Sequence, residues 1–369
     1  MKNKDEFNSN RLKYARIKRG YTLKKLSERL SISTKILSLY ENGHSAPSKQ
    51  HMIKSISEIL NFPIDFFYMD DIASLEETIV SFRSLARMSA STKNAALCSG
   101  QLALELVQWI SEKITLPKIE VPDLNKESPE AAAVEIRTQW ALGEKPIKNL
   151  IHLFEAKGIY VFSLNQPTLD MDAYSFWIDN KAYIFLNTLK TAERSRFDAA
   201  HELGHLVLHK HGSPTGKIAE IEANRFASAF LMPEGDVRQR THQFVSLEDI
   251  ILLKSCWLVA ASALIRRLKD LQIITEWQYR SFNIELSKQG YRTKEPKPLK
   301  CRETSKLIPM IFKILREDGL SKTDIAKDLG VYKKEIDELF FHLDLTEIDG
   351  GMVGNESYKA NKPNLRVIK

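Results

Sequence analysis

His201, Glu202 and His205 stand in the run HELGH, within RSRFDAAHELGHLVLHKHG at 194–212. If that run is helical, residues four apart share one face and lie one turn from each other. Two imidazoles so placed can hold one zinc ion between them. Glu202 adjoins the first histidine and can hold and deprotonate an attacking water, the task a carboxylate performs in metal-assisted amide hydrolysis. The chemistry predicted from these three residue types is therefore zinc-dependent cleavage of a peptide bond.

Such a site needs a third protein ligand, and the helical-looking run AEIEANRFASAFLMP at 219–233 contains Glu220 and Glu222. Two residues apart on a helix means about 200° of rotation, so only one of them can face the metal. Glu220 shares its face with Ala223, Asn224 and Ala227. The alanines permit close helix approach, and Asn224 can hydrogen-bond a ligand histidine from behind. Glu222 lies with Arg225 and Phe226, a less suitable set. This favours Glu220. His209 and His211 follow the motif. A straight helix would carry His209 about 6 Å further along its axis than His205, so His209 reads as a packing or hydrogen-bonding residue and not as a ligand. His242 and Tyr174 are candidates for stabilising the oxyanion of a tetrahedral intermediate.

The elements around the motif are legible in outline. Ser128 and Pro129 open a helix that stops near Gly143, and IKNLIHLFEAKG gives another ending at Gly158. IYVFSL, AYSFWI and AYIFLN read as strands, the last two joined by a turn at Asp179-Asn180. A small sheet thus precedes the HELGH helix. Upstream, residues 72–115 look helical, and the Pro- and charge-rich TLPKIEVPDLNKESPE reads as a linker. Downstream, KSCWLVAASALIRRLKDLQ and GLSKTDIAKDLGVYKKEIDELFFHL both have the cadence of a helix-turn-helix, the second with Ser321 as N-cap and Gly330 in the turn. Such cadence also occurs in plain helical packing units.

The N-terminal segment carries the clearest version of that cadence. RLKYARIKRG stops at Gly20, Thr22 caps TLKKLSERL, and the turn Ser31-Ile32 leads to Ser33, which caps STKILSLYEN. The chain has 369 residues and a net charge of +7. Residues 1–70 hold 13 Lys/Arg against 7 Asp/Glu, so nearly the whole basic excess sits there. A single-sign block of this kind suits a polyanion such as double-stranded DNA.

Two family resemblances rest on these residues. Residues 9–67 resemble the XRE, or lambda-repressor-like, helix-turn-helix family through Ser33, Ser38, Glu41, Gly43, Pro47, Leu60 and the Phe62-to-Phe67 tail. Departures stand at Leu23 (often Gln in the family), Ser27 (often Ala) and Ser31 (often Gly). The resemblance implies that Thr34, Lys35 and Ser38 face the major groove and that Lys24, Lys25 and Lys49 contact phosphates. Residues 130–345 resemble the ImmA/IrrE family of metallopeptidases through RSRF, HELGHLVLH, the Glu-x-x-Ala-Asn-x-Phe-Ala pattern and Leu231-Met232-Pro233. FRSLARMSAS resembles the region joining the two modules. A departure stands at Ala260-Ala261, where relatives often carry Val-Ser. That resemblance implies a gluzincin with His201, His205 and Glu220 as zinc ligands and Glu202 as general base and acid. Relatives include proteases that cut helix-turn-helix repressors.

The expected architecture is multidomain and mainly α. It comprises an all-α helix-turn-helix bundle at 1–70, a helical connector and linker at 71–127 and an α+β zincin-like domain with a small sheet at 128–245. A helical extension at 246–349 and a flexible tail at 350–369 complete it. Cys98, Cys256 and Cys301 are odd in number and widely spaced, which argues against a disulfide framework or a cysteine zinc site. No apolar run is long enough to span a bilayer and MKNKDEFNSN is no secretory signal, so a cytoplasmic protein without a membrane partner is expected. Two functions fit. One is a zinc endopeptidase that cuts a regulatory protein such as a repressor. The other is a non-proteolytic DNA-binding regulator whose zincin-like domain senses or dimerises, consistent with a homodimer on paired half-sites.

Overall fold

The computed structural model describes residues 6–75, 81–82, 89–164, 172–211, 216–241, 245–340, 343 and 366–367. The chain opens with α1 (Ser9–Lys18), α2 (Leu23–Arg29), α3 (Thr34–Glu41) and α4 (Gln50–Leu60), followed by a 3-10 turn at Ile64–Tyr68. Side chains with oxygens at the caps start the first three helices: Asn8, Thr22 and Ser33 each accept from a backbone N–H of the first turn. Between α2 and α3, Ser31 takes φ +54°, the left-handed conformation that the tight turn demands and that glycine adopts without cost. Leu12, Leu26, Leu37, Ile56, Leu60, Phe62 and Phe66 fill the core of this bundle. Arg16 clamps α1 to α3 through two hydrogen bonds to the Glu41 carboxylate, at 2.6 and 2.9 Å.

The stretch expected to be helical from 72 to 115 is helical only in part. Residues 71–75 have no regular structure, β1 (Ser81–Phe82) is a strand, and α5 runs over Ala90–Ser111 from its cap Ser89. With Ala96, Leu102, Ala103, Leu106, Trp109 and Ile110 all buried, α5 is a central spine and not a connector. A helix with so wide an apolar surface must be covered on more than one side. Tyr14 of α1 donates to the Cys98 carbonyl at 2.8 Å, and Tyr174 of the sheet donates to the Ala96 carbonyl at 2.8 Å.

After β2 (Ile114–Thr115), the Pro-rich stretch expected as a linker is strapped to the domain it precedes. The Glu120 amide donates to the Lys157 carbonyl and the Leu124 amide to the Val207 carbonyl, both at 2.9 Å. Gly158, at φ +76°, allows this approach, because a Cβ there would lie 2.4 Å from the Lys118 carbonyl oxygen. Next come α6 (Pro129–Gln139), α7 (Leu150–Ala156), β3 (Ile159–Ser163), β4 (Ala173–Ile178) and β5 (Lys181–Leu186).

The sheet has the order β1-β4-β5-β3, with β3 parallel to β5 and the other pairs antiparallel. Asp179 and Asn180 both adopt positive φ, 47° and 56°, as a two-residue hairpin turn of type I′ requires. Alternation along β4 separates two faces. Tyr174 and Phe176 stack on Phe185 and Tyr183, while Ser175 and Trp177 bond to the next helix, α8 (Ala192–Leu208).

The chain continues with α9 (Gly216–Leu231), α10 (Glu234–Arg240), α11 (Leu247–Trp257), α12 (Ala261–Asp270), α13 (Glu276–Lys288), α14 (Leu307–Glu317), α15 (Lys322–Asp328) and α16 (Lys333–Leu339). Ser321 caps α15, and Gly330 takes φ +64° in the turn before α16. This C-terminal unit packs inward. Phe340 stacks on Phe162 of β3, Trp109 of α5 donates to Asp328, and Glu335 pairs with Lys18 and Arg19 of α1. The buried Glu155 carboxylate accepts from Ser305 and from the amides of Lys306 and Leu307, capping α14 from another element. In the stretch expected to be a frayed tail, β6 (Arg366–Val367) pairs antiparallel with β2. Among the described residues no helix is long and apolar enough to cross a membrane.

Candidate metal centre

Thr191 caps α8, and from Ser195 onward the helix is buried on almost every side. It lies between β4 and β5 on one flank and α9 on the other. His201 and Glu202 are 0% exposed and His205 is 4% exposed, so these polar groups are held inside the protein, where each needs a specific partner. The closeness of α8 and α9 depends on the fourth residue of HELGH. A Cβ on Gly204 would stand 3.1 Å from Cα of Ala223. Glycine facing alanine lets the two backbones approach, and that approach brings Glu220 over the histidines.

His201, His205 and Glu220 converge, with one ligand atom from each lying within 4.8 Å of the others. The two Nε2 atoms are 3.1 Å apart, and the Glu220 oxygens lie 3.4 Å from His201 Nε2 and 3.3 Å from His205 Nε2. Burial pushes the Glu220 carboxyl up, but its hydrogen bonds and charge interactions with the two imidazoles outweigh this and hold it at about 2. Asn224 stands one turn on from Glu220. Its Nδ2 donates to the Glu220 carbonyl at 2.7 Å, which turns Oδ1 toward His201 Nδ1 at 3.2 Å. With its Nδ1 proton given to Asn224, His201 would leave Nε2 free for a metal ion. Two imidazoles and a carboxylate gathered at this separation form a donor set that suits zinc. The residues present fit that ion.

Glu202 is held from the sheet, where Ser175 Oγ donates to its Oε2 at 2.6 Å. Ser175 was missed in the sequence. Its signal was there, since it is the one small polar residue in the aromatic run AYSFWI and faces α8 by alternation. Glu222, set aside as a ligand, bonds His209 Nε2 at 3.0 Å, and His209 Nδ1 lies 2.9 Å from His205 Nδ1. The helix is not straight through this point: it ends at Leu208, and His209 is its cap residue. Burial lowers the His209 pKa, and the Glu222 hydrogen bond counters part of that. Tyr174 is no oxyanion donor. It is 0% exposed on the far face of β4 and spends its hydroxyl on Ala96. His242 lies outside the described residues. His211 pairs at the surface with Asp123, at 2.6 Å.

In the N-terminal bundle, Lys24, Lys25, Thr34, Lys35 and Lys49 are exposed and Ser38 is half-buried, its hydroxyl accepting from Asn42 at 3.2 Å. These residues lie on α2, on α3 and at the N-cap of α4, the elements a helix-turn-helix presents to a groove. The C-terminal pair α15–α16 is less suited to that role. Its helices carry as many acidic as basic residues or more, and Glu335 faces inward.

Comparison with known proteins agrees with both halves. Residues 9–70 match the family of helix-turn-helix domains, and residues 154–269 match the IrrE N-terminal-like domain, peptidase family M78. The chain is also similar to uncharacterized immunity region protein 2 of Bacillus phage phi105, with 33% identity over 110 residues, 27% of this chain. The matched stretch spans 66% of that protein's length. The chain is therefore similar to helix-turn-helix domains over residues 9–70 and to the IrrE N-terminal-like domain of peptidase family M78 over residues 154–269.

Proposed function

We propose that this protein is a zinc-dependent endopeptidase coupled to a DNA-binding domain, and that it cuts a regulatory protein such as a helix-turn-helix repressor to control transcription. The observation that carries the reading is the convergence of His201, His205 and Glu220 beside Glu202, all on two helices packed through Gly204 and Ala223. His201 and His205 through Nε2, with a Glu220 oxygen, would hold the zinc. When bound, zinc supplies Lewis-acid polarisation of the scissile carbonyl and lowers the pKa of water.

The chain's own residues supply the rest. Glu202 accepts a proton from the attacking water and returns it to the leaving amine, and the Ser175 hydroxyl fixes its orientation from the sheet. Asn224 fixes the ring of His201. In the N-terminal domain, Thr34, Lys35 and Ser38 would face the major groove, with Lys24, Lys25 and Lys49 on phosphates. The similarity to a protein named for a phage immunity region is in keeping with a regulatory setting.

The test is elemental analysis of protein purified without added metal, beside cleavage assays with candidate repressors. About one zinc per chain, lost in His205→Ala, together with cleavage abolished in Glu202→Gln at unchanged zinc content, is the expected result. Equal cleavage by Glu202→Gln would overturn the mechanism. Zinc without any proteolysis, alongside operator binding, would favour a regulator that uses the domain for sensing.

A further inference from the structure

The hydrogen-bond donors and acceptors around His205 leave little freedom. The Glu222 carboxylate can only accept, so His209 donates to it from Nε2, at 3.0 Å. A neutral His209 then has an acceptor at Nδ1, and the group facing it at 2.9 Å is His205 Nδ1. His205 then donates from Nδ1, which would leave its Nε2 lone pair free for a metal ion held with Glu220 and His201. The chain of bonds is Glu222, His209, His205, and it begins on α9 and ends on α8.

We propose that Glu222 and His209 are positioning residues: they lock His205 in the tautomer and ring orientation that coordinate zinc, and so set the affinity of the site. This rests on the metallopeptidase reading above. His201 and His205 are treated alike in this arrangement. Asn224 of α9 holds the first directly, and Glu222 of α9 holds the second through His209, the cap residue of α8. Both ligand rings on α8 are thus tied to side chains of the helix that carries the third ligand, the first directly and the second through His209. Glu222 is on α9 two residues from Glu220, so the opposite facing that disqualifies it as a ligand is what lets it reach behind His205. His209 can take part because α8 stops at Leu208 and frees the cap residue to fold its ring back.

Loss of a hydrogen-bond partner behind a ligand histidine typically weakens metal binding about 10- to 100-fold. The experiment measures zinc dissociation constants of the full chain by chelator competition for wild type, Glu222→Gln and His209→Ala. Glu222→Gln keeps the shape of a partly exposed side chain and serves where His209→Ala fails to fold. Metal-free unfolding midpoints are taken in parallel, and long-range 1H–15N spectra of the zinc-loaded protein report the tautomer of His205. The expected result is zinc affinity lower by about 10-fold in Glu222→Gln and by up to about 100-fold in His209→Ala. Metal-free stability should be little changed in Glu222→Gln, and the proton should lie on His205 Nδ1 in the wild type. Wild-type affinity in both variants, or a proton on His205 Nε2, would overturn the relay while leaving the zinc site standing. A wild type that binds no zinc would instead remove the metallopeptidase reading.

Discussion

Gly204 and Ala223 face each other so closely that a methyl group on the glycine would stand 3.1 Å from the alanine's Cα and 3.3 Å from its carbonyl oxygen. Both obstacles are backbone, which cannot swing aside as a side chain can. Gly204→Ala should therefore push α9 away from α8 by a few tenths of an ångström. Glu220 lies three residues before Ala223 on α9 and moves with it. Overpacking of this kind costs about 1–3 kcal/mol. The expected outcome is a lower unfolding free energy together with weaker zinc binding. Chelator competition and denaturant titration measure the two, and unchanged zinc affinity at reduced stability would show that Glu220 does not depend on this contact.

Ser175 is buried, and its hydroxyl hydrogen-bonds the carboxylate of Glu202 at 2.6 Å. A bond to a charged group contributes about 1.5–3 kcal/mol, so Ser175→Ala should slow turnover by roughly 10- to 100-fold. Zinc content should be unchanged, because the Ser175 hydroxyl bonds Glu202, which is not a ligand. Steady-state kinetics with elemental analysis separate these effects. A loss of zinc in the variant would mean that the strand supports the ligands as well as the base.

The legibility of the site follows the same division. HELGH and the Glu220 face could be read because helical periodicity places residue types in space without tertiary information. Asn224 followed from sharing that face. Ser175 stood out as a small polar residue in an aromatic strand, but which helix residue it meets is set by packing that no local pattern encodes. Glu222 and His209 could not be paired because the end of α8 is decided at its cap. A straight continuation of the helix, the natural assumption, moves His209 to the wrong place. In the fold, β1 and β6 each span two residues, too short for any alternation to show. The buried role of α5 was half-visible, since LALELVQWI is apolar apart from Glu105 and Gln108.

His152 is pushed down from its ordinary 6.5 to about 4, first by burial and then by the positive charge of Lys306, with a backbone hydrogen bond at Thr304 opposing. Its Nε2 has no hydrogen-bond partner among the described residues. Between pH 6.5 and 4 the unfolded chain takes up a proton that the folded protein resists. Stability therefore falls with pH through that window and is unaffected by this group above it. His152→Gln removes the titration. Denaturant unfolding of both proteins at several pH values should give a difference that changes between pH 6.5 and 4, with the wild type losing more. Glu155 and Glu303, whose carboxyls are raised by burial, act in the opposite sense but are common to both proteins. Parallel curves would show that His152 is open to solvent in the folded state.

Glu335 joins the two ends of the chain. It is 1% exposed, accepts from Arg19 at 2.7 Å and lies 3.5 Å from Lys18. Arg19 also donates to the carbonyls of Leu60 and Asn61 and lies over the ring of Phe62, so the contact reaches the core of the N-terminal bundle. Removing one member of a buried ion pair leaves the other charge uncompensated and costs about 3–5 kcal/mol. Arg19 keeps its two carbonyl partners and is partly exposed, so Glu335→Ala should fall at the lower end of that range. If the pair couples the bundle to the C-terminal unit, amide hydrogen exchange should rise together in α1 and α16. A rise confined to α16 would mean that the bundle is held by α5 through Tyr14 and Arg11 instead, with the ion pair only anchoring the C-terminal helix.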